Sequence, residues 1–185
     1  IKYASNNVPR FDHDPITRES LGLMIEESRT NYSIYSSEFD NAAHQKLTAT
    51  VVANQAVAPD GTNTAYLMYP DASGSGRGIT DSYTLTTGIY TTSLYVKSAG
   101  LQWIALYGVN GAGRGYFDIV NGTAGGNDSS GLVTYGIEDA GNGWYRCYVT
   151  INITDVSGTE YYYVYFGDSD NSVSVTKNGT NGIYM

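Results

Sequence analysis

Through most of the second half of the chain, apolar and polar residues alternate with a period of two. This is the pattern of strands that turn one face to a core. In residues 90–99, Leu94 and Val96 fall on one side and Tyr95 and Lys97 on the other. In 102–109, Ile104 and Leu106 oppose Trp103, Ala105 and Tyr107; in 116–120, Phe117 and Ile119 share a face. Residues 131–138 read as a further strand. In 144–153, Tyr145, Cys147, Val149, Ile151 and Ile153 oppose Trp144, Arg146, Tyr148 and Thr150. In 160–167, Val164, Phe166 and Tyr162 form one face, which leaves Tyr161, Tyr163 and Tyr165 on the other. Residues 182–185 begin a last strand.

The punctuation agrees with this reading. Asn-Gly occurs at Asn110, Asn121, Asn142, Asn178 and Asn181, and Asp-Gly at Asp60. These pairs accept the positive φ angles of tight hairpins. Short strands with turn chemistry between them predict an all-β fold, a two-sheet antiparallel jelly-roll β-sandwich.

The first 48 residues differ. Residues 8–20 are polar, carry Pro9 and Pro15, and predict an extended N-terminal arm over 1–20. Residues 21–30 fit a strand or a helical face; Gly22 favours the strand. The best short helix is 38–45. Residues 46–57 and 64–69 read as strands around the Asp60-Gly61 turn. With no internal repeat and no linker, 21–185 is read as one sandwich domain.

Composition narrows the function. The 185 residues include 18 Tyr, 22 Gly and 4 Pro, with a net charge of −8. An acidic chain is a poor match for nucleic acid, whose phosphates call for a basic surface. No apolar run approaches the roughly 20 residues of a membrane span, so no membrane insertion is expected. The N-terminus carries no apolar signal-peptide core and no initiator Met, which predicts a processed chain or a piece of a longer one. The single Cys147 excludes an internal disulfide and a cysteine zinc site.

Several blocks carry a resemblance. They are Asn7-Val8-Pro9-Arg10-Phe11-Asp12-His13-Asp14-Pro15, Gly22-Leu23-Met24-Ile25-Glu26-Glu27-Ser28-Arg29-Thr30-Asn31 and Ser36-Ser37-Glu38-Phe39-Asp40-Asn41-Ala42-Ala43. Val57-Ala58-Pro59-Asp60-Gly61-Thr62 and Gly141-Asn142-Gly143-Trp144-Tyr145-Arg146 complete the set. In this order they resemble the carbohydrate-binding-module-like jelly-roll domain of phage virion proteins, the type found in tail fibres, tail spikes and head fibres. The resemblance departs at His44, where the family has Trp, and at the end, where a further Trp-Gly-Ala-Gln-Leu-Glu-like strand would follow. It implies a fragment of a longer virion polypeptide on the surface of the phage particle. It also implies host surface polysaccharide and other virion proteins as partners, a homo-oligomer, with a trimer expected from fibres, and host attachment without catalysis.

The residues offer candidates for that role. Tyr161, Tyr163 and Tyr165 form an outward row, and Trp103, Tyr107 and Tyr148 a second candidate face for sugar rings, which stack on flat aromatic surfaces. The same tyrosines serve equally as cross-strand pairs or as a subunit interface of a purely structural decoration domain. Trp144 reads as a core plug, and Arg146 as the partner of Glu138 or Asp139. Related sugar-binding sandwiches often hold a structural calcium, for which Asp168 and Asp170 are candidates, with Asp12-His13-Asp14 a second acidic loop; solvated turn carboxylates are the alternative. Asp118 and Glu138 both lie on predicted strands and could form a hydrolytic pair, but any sandwich with 18 acidic residues offers such pairs. The sequence carries no Gly-x-Ser-x-Gly elbow, His-Glu-x-x-His or Walker loop, so no enzyme is predicted. The glycine runs 74–78 and 111–115 read as loop tips.

Overall fold

The chain folds into strands and turns. The structure, a computed structural model, describes residues 11–13, 20–23, 30–108, 113–128, 130–155 and 158–185. Contacts divide the chain into two units, Ile1–Ile34 and Tyr35–Met185. In the first, β1 (Phe11–His13) pairs antiparallel with β2 (Ser20–Leu23).

The second unit is a two-sheet antiparallel β-sandwich. Its strands are β3 (Gln45–Leu47), β4 (Ala49–Ala56), β5 (Ala65–Pro70), β6 (Gly74–Ser75), β7 (Gly78–Thr84), β8 (Gly88–Ala99) and β9 (Trp103–Tyr107). They continue with β10 (Arg114–Asp118), β11 (Thr123–Asp128), β12 (Leu132–Gly141), β13 (Trp144–Ile153), β14 (Thr159–Gly167), β15 (Ser174–Val175) and β16 (Gly182–Tyr184). Sheet I has the order β11-β10-β9-β14-β7-β3, and sheet II the order β12-β13-β8-β16-β5-β4. The antiparallel partners nest: β5 with β16, β6 with β15, β7 with β14, β8 with β13. Three of these nested pairs lie in the two large sheets, and β6 with β15 forms a separate two-stranded sheet.

Period-two patterning decides which side faces in. Ile104 and Leu106 of β9, Phe117 of β10, Cys147, Val149 and Ile151 of β13, and Val164 and Phe166 of β14 join one core. Burying a side chain such as Phe166, with none of its surface exposed, contributes about 2–3 kcal/mol. The hairpin between β12 and β13 turns at Asn142 and Gly143, with φ of 54° and 78°. Both angles are positive, as a type I′ turn requires.

Three local expectations change. Residues 38–45 are not a helix but successive turns, with Glu38 N–H on Tyr35 O, Asn41 N–H on Glu38 O and His44 N–H on Asn41 O. The Asn41 side chain competes for the backbone by accepting from the Ala43 N–H at 3.0 Å, which favours turns over helix. The predicted strand over 46–57 is interrupted at Thr48, whose φ is 49°; the chain thereby leaves sheet I and enters sheet II. The run 74–78 is not merely a loop tip, because Gly74 and Ser75 pair with Val175 and Ser174.

His44, at the position where the resembled family has Trp, is buried. Its Nε2–H donates to Tyr35 O at 3.0 Å, and its ring centroid is 5.8 Å from that of Phe39. Nδ1 lies 3.4 Å from an oxygen of Asp81. The imidazole thus fills a buried site that ties the turns over 35–44 to β7.

Candidate functional site

The outer face of sheet I is an aromatic platform. Strand alternation puts Tyr161, Tyr163 and Tyr165 of β14 on it, because Val164 and Phe166 point into the core. Register then sets their neighbours: Tyr163 lies opposite Tyr107, Tyr165 opposite Ala105 and Gly167 opposite Trp103. On the far side of β9, Tyr107 faces Arg114, Ala105 faces Tyr116 and Trp103 faces Asp118. Ala105, Tyr107 and Tyr116 are buried here, with Trp103, Tyr163, Tyr165 and Val173 packed against them.

The rings form an ordered array. Tyr161 and Tyr163 stack with centroids 6.4 Å apart, and Tyr163 and Tyr165 with centroids 5.2 Å apart. Tyr107 meets the row edge-on, at 6.1 Å from Tyr163 and 5.1 Å from Tyr165. Offset-stacked and edge-to-face pairs are the favoured aromatic arrangements. The Arg114 guanidinium sits 4.3 Å from the Tyr107 ring centroid. It donates to Tyr116 Oη at 3.2 Å and pairs with Asp128 at 3.3 Å.

Burial raises the pKa of two phenols. Tyr165 is pushed up to about 12 by burial, with Tyr163 and Tyr107 adding to it. Tyr107 is raised by burial, partly offset by Arg114. For Arg114, burial acts to lower the value, but Tyr116, Tyr107 and Asp128 outweigh it and the net shift is upward. Tyr107 and Tyr165 therefore stay neutral and Arg114 cationic at ordinary pH.

Its polar groups are only partly used. Among the described residues, the hydroxyls of Tyr163 and Tyr165 and the Trp103 indole N–H have no hydrogen-bond partner. Tyr161 is the most open member of the row, 38% exposed.

Of the six expected sugar-stacking residues, the fold brings together Tyr161, Tyr163, Tyr165, Tyr107 and Trp103. Tyr148 is elsewhere, on β13 in sheet II, opposite Ser93 and Gly136. Its ring lies 5.2 Å from the Arg146 guanidinium carbon. Arg114 and Tyr116 belong to the platform but were not singled out from the sequence. The signal available was the alternation Arg114, Tyr116, Asp118 against Phe117, hidden by reading 111–115 as a tip.

The other candidates resolve as follows. Arg146 pairs with Glu138, directly across the hairpin, at 3.0 Å. Trp144 is buried, but from the outer side of sheet II: its Nε1–H donates to Val57 O at 3.0 Å. Asp118 and Glu138 lie in different sheets. Both Asp118 oxygens accept hydrogen bonds from Gln102, Val120 and Asn121.

Asp168 Oδ2 accepts from the Thr176 N–H and hydroxyl, and Asp170 Oδ1 from the Gly126 and Asn171 N–H groups. Among the described residues no three His, Cys, Asp or Glu side chains cluster around a common point. Asp12-His13-Asp14 lies outside the residues whose side chains are described.

Compared with models of protein families and with curated proteins, the chain matches none of them.

Proposed function

We propose that this chain is a non-enzymatic recognition module that binds a host surface glycan on the outer face of sheet I. The observation that carries the reading is the platform's set of unused donors: the Tyr163 and Tyr165 hydroxyls and the Trp103 indole N–H. They stand on rings already fixed by mutual stacking. Little side-chain freedom is lost when a ligand engages such groups, which is how preorganisation raises affinity. Sugar hydroxyls are the natural partners of donors set in an aromatic surface.

With the resemblance to phage virion domains, this reading places the module on a virion surface, in a tail fibre, spike or capsid fibre. Weak single sites would be raised to useful avidity by repetition in a homo-oligomer such as a trimer.

A second reading rests on the stacking itself. Tyr163 has neighbours against both ring faces, so its faces are not open to a sugar. A row of edges and hydroxyls also suits burial against another subunit in a structural decoration domain.

A glycan array with the chain, with Tyr163→Phe and with Trp103→Phe separates the two. Glycan recognition predicts defined hits that weaken about three- to tenfold in each variant, the worth of one hydrogen bond. An array blank for a folded sample, together with an oligomer that weakens on Tyr161→Ala, supports the interface reading instead.

A further inference from the structure

A pocket of about 350 Å³ opens on the outer face of sheet II, away from the tyrosine platform. Its roof is the turn that holds Val57 and Pro59; Trp144 and Tyr184 line it below, and Lys97 and Asn142 lie at its rim. The roof is held in place. Gly61 N–H bonds to Ala58 O at 2.9 Å and Ala58 N–H to Thr62 O at 2.8 Å. Asp60 Oδ1 accepts from the Thr62 N–H and hydroxyl. Roof and floor are tied by the Trp144 indole bond to Val57 O, at 3.0 Å. Pairing sets the polar groups: Tyr184 lies opposite Lys97, and the Lys97 Nζ reaches Asn142 O at 2.7 Å.

The chemistry of the rim is unspent. Lys97 makes no ion pair among the described residues, in a chain with 18 acidic side chains. After the bond to Asn142 O, two of its ammonium N–H groups remain. The Asn142 carboxamide and the Tyr184 hydroxyl have no hydrogen-bond partner among the described residues. An ammonium, an amide and a phenol thus meet at the mouth of a largely apolar, preformed pocket at the small end of the ligand-site range.

We propose that this pocket binds one pyranose ring that carries a carboxylate, a hexuronic-acid unit of an acidic polysaccharide. The ring's C–H faces pack against Val57, Pro59 and Tyr184. The carboxylate takes the two remaining Lys97 N–H groups, a charge-assisted contact. The Asn142 amide and the Tyr184 hydroxyl take ring hydroxyls. The site is independent of the tyrosine platform and stands if that platform proves to be an interface. With a net charge of −8, long-range attraction does not help an anion, and the affinity for a single sugar is expected to be about millimolar.

The test is a titration of the whole chain with D-glucuronate, D-glucose and cyclohexanecarboxylate, followed by amide and indole NMR signals. Saturable shifts at the Trp144 indole N–H and at Lys97 and Asn142 are expected with D-glucuronate, and about tenfold weaker binding with D-glucose. Lys97→Met should abolish the D-glucuronate response while leaving the unliganded Trp144 signal in place, which shows that the pocket is still folded. Lys97→Arg should retain part of the response, and Tyr161→Ala all of it. No saturable shift at Trp144 with D-glucuronate, or an equal response in Lys97→Met, overturns the proposal. Cyclohexanecarboxylate binding as tightly as D-glucuronate overturns the sugar and leaves an apolar-acid site.

Discussion

The ring of Tyr163 stacks on that of Tyr165, with centroids 5.2 Å apart and planes 19° from parallel. The same ring stacks on Tyr161 from the other side, at 6.4 Å and 22°. Tyr163 therefore works in two ways that substitutions can separate: its ring holds the row together, and its hydroxyl points to whatever lies above it.

Tyr163→Phe should keep the stack and change stability by less than about 0.5 kcal/mol. Tyr163→Ala removes two stacked contacts and the edge contact with Tyr107, and should cost about 2 kcal/mol. Urea unfolding midpoints of the two variants check this. Equal midpoints would mean that the stack contributes nothing to stability.

Asp118 makes an acid-sensitive clamp at the end of β10. Burial acts to raise its pKa, but the hydrogen bonds from Asn121, Gln102 and Val120 outweigh it, so the folded pKa lies below the usual carboxylate range. A carboxyl depressed on folding contributes stability above its unfolded value, and loses it as pH falls through the folded value. Stability should therefore drop as pH falls below about 4. Asp118→Asn should cost about 2 kcal/mol at pH 7, because the amide's N–H₂ confronts donors. The variant should also show a shallower loss between neutral and acid pH. Denaturation curves at both pH values check the sign, and parallel losses in the two proteins would exclude Asp118 as the source.

Trp144→Phe keeps most of the buried ring but leaves Val57 O without its donor. A loss of about 1 kcal/mol is expected, along with faster hydrogen exchange at Gly61 and Ala58, whose amides close the roof turn. Unchanged exchange would show that the turn is rigid without the indole bond.

Cys147 is buried in the core, and burial pushes its thiol far above the ordinary range. A thiol reagent should leave the native protein unmodified and react once in denaturant, since the thiolate is the reactive form. Mass spectrometry after timed exposure reads this directly. Rapid native modification would mean that the core at β13 opens readily.

Strand alternation alone set which residues share a face. In β14 the sequence placed Tyr161, Tyr163 and Tyr165 opposite Val164 and Phe166, and in β9 Ile104 and Leu106 opposite Trp103, Ala105 and Tyr107; both divisions hold in the fold. Side chains on a strand point alternately up and down, so this information is local and is written in consecutive residues. The Asn142-Gly143 turn was legible for the same reason, since two adjacent residues carry its positive φ angles.

Neighbours across strands are decided by pairing and register, which join residues far apart in the chain. Only the tertiary structure set Tyr107 beside Tyr163 and brought Arg114 over Tyr107. Only it sent Tyr148 to the other sheet and folded Val57 over Trp144. The same holds for Asp168 and Asp170, whose oxygens accept from the backbone N–H groups of Thr176, of the adjacent Asn171 and of Gly126 in β11, 44 residues away. The sequence thus determined the strands, their inward faces and the aromatic row. The long-range pairing of those strands determined which aromatic and charged groups meet.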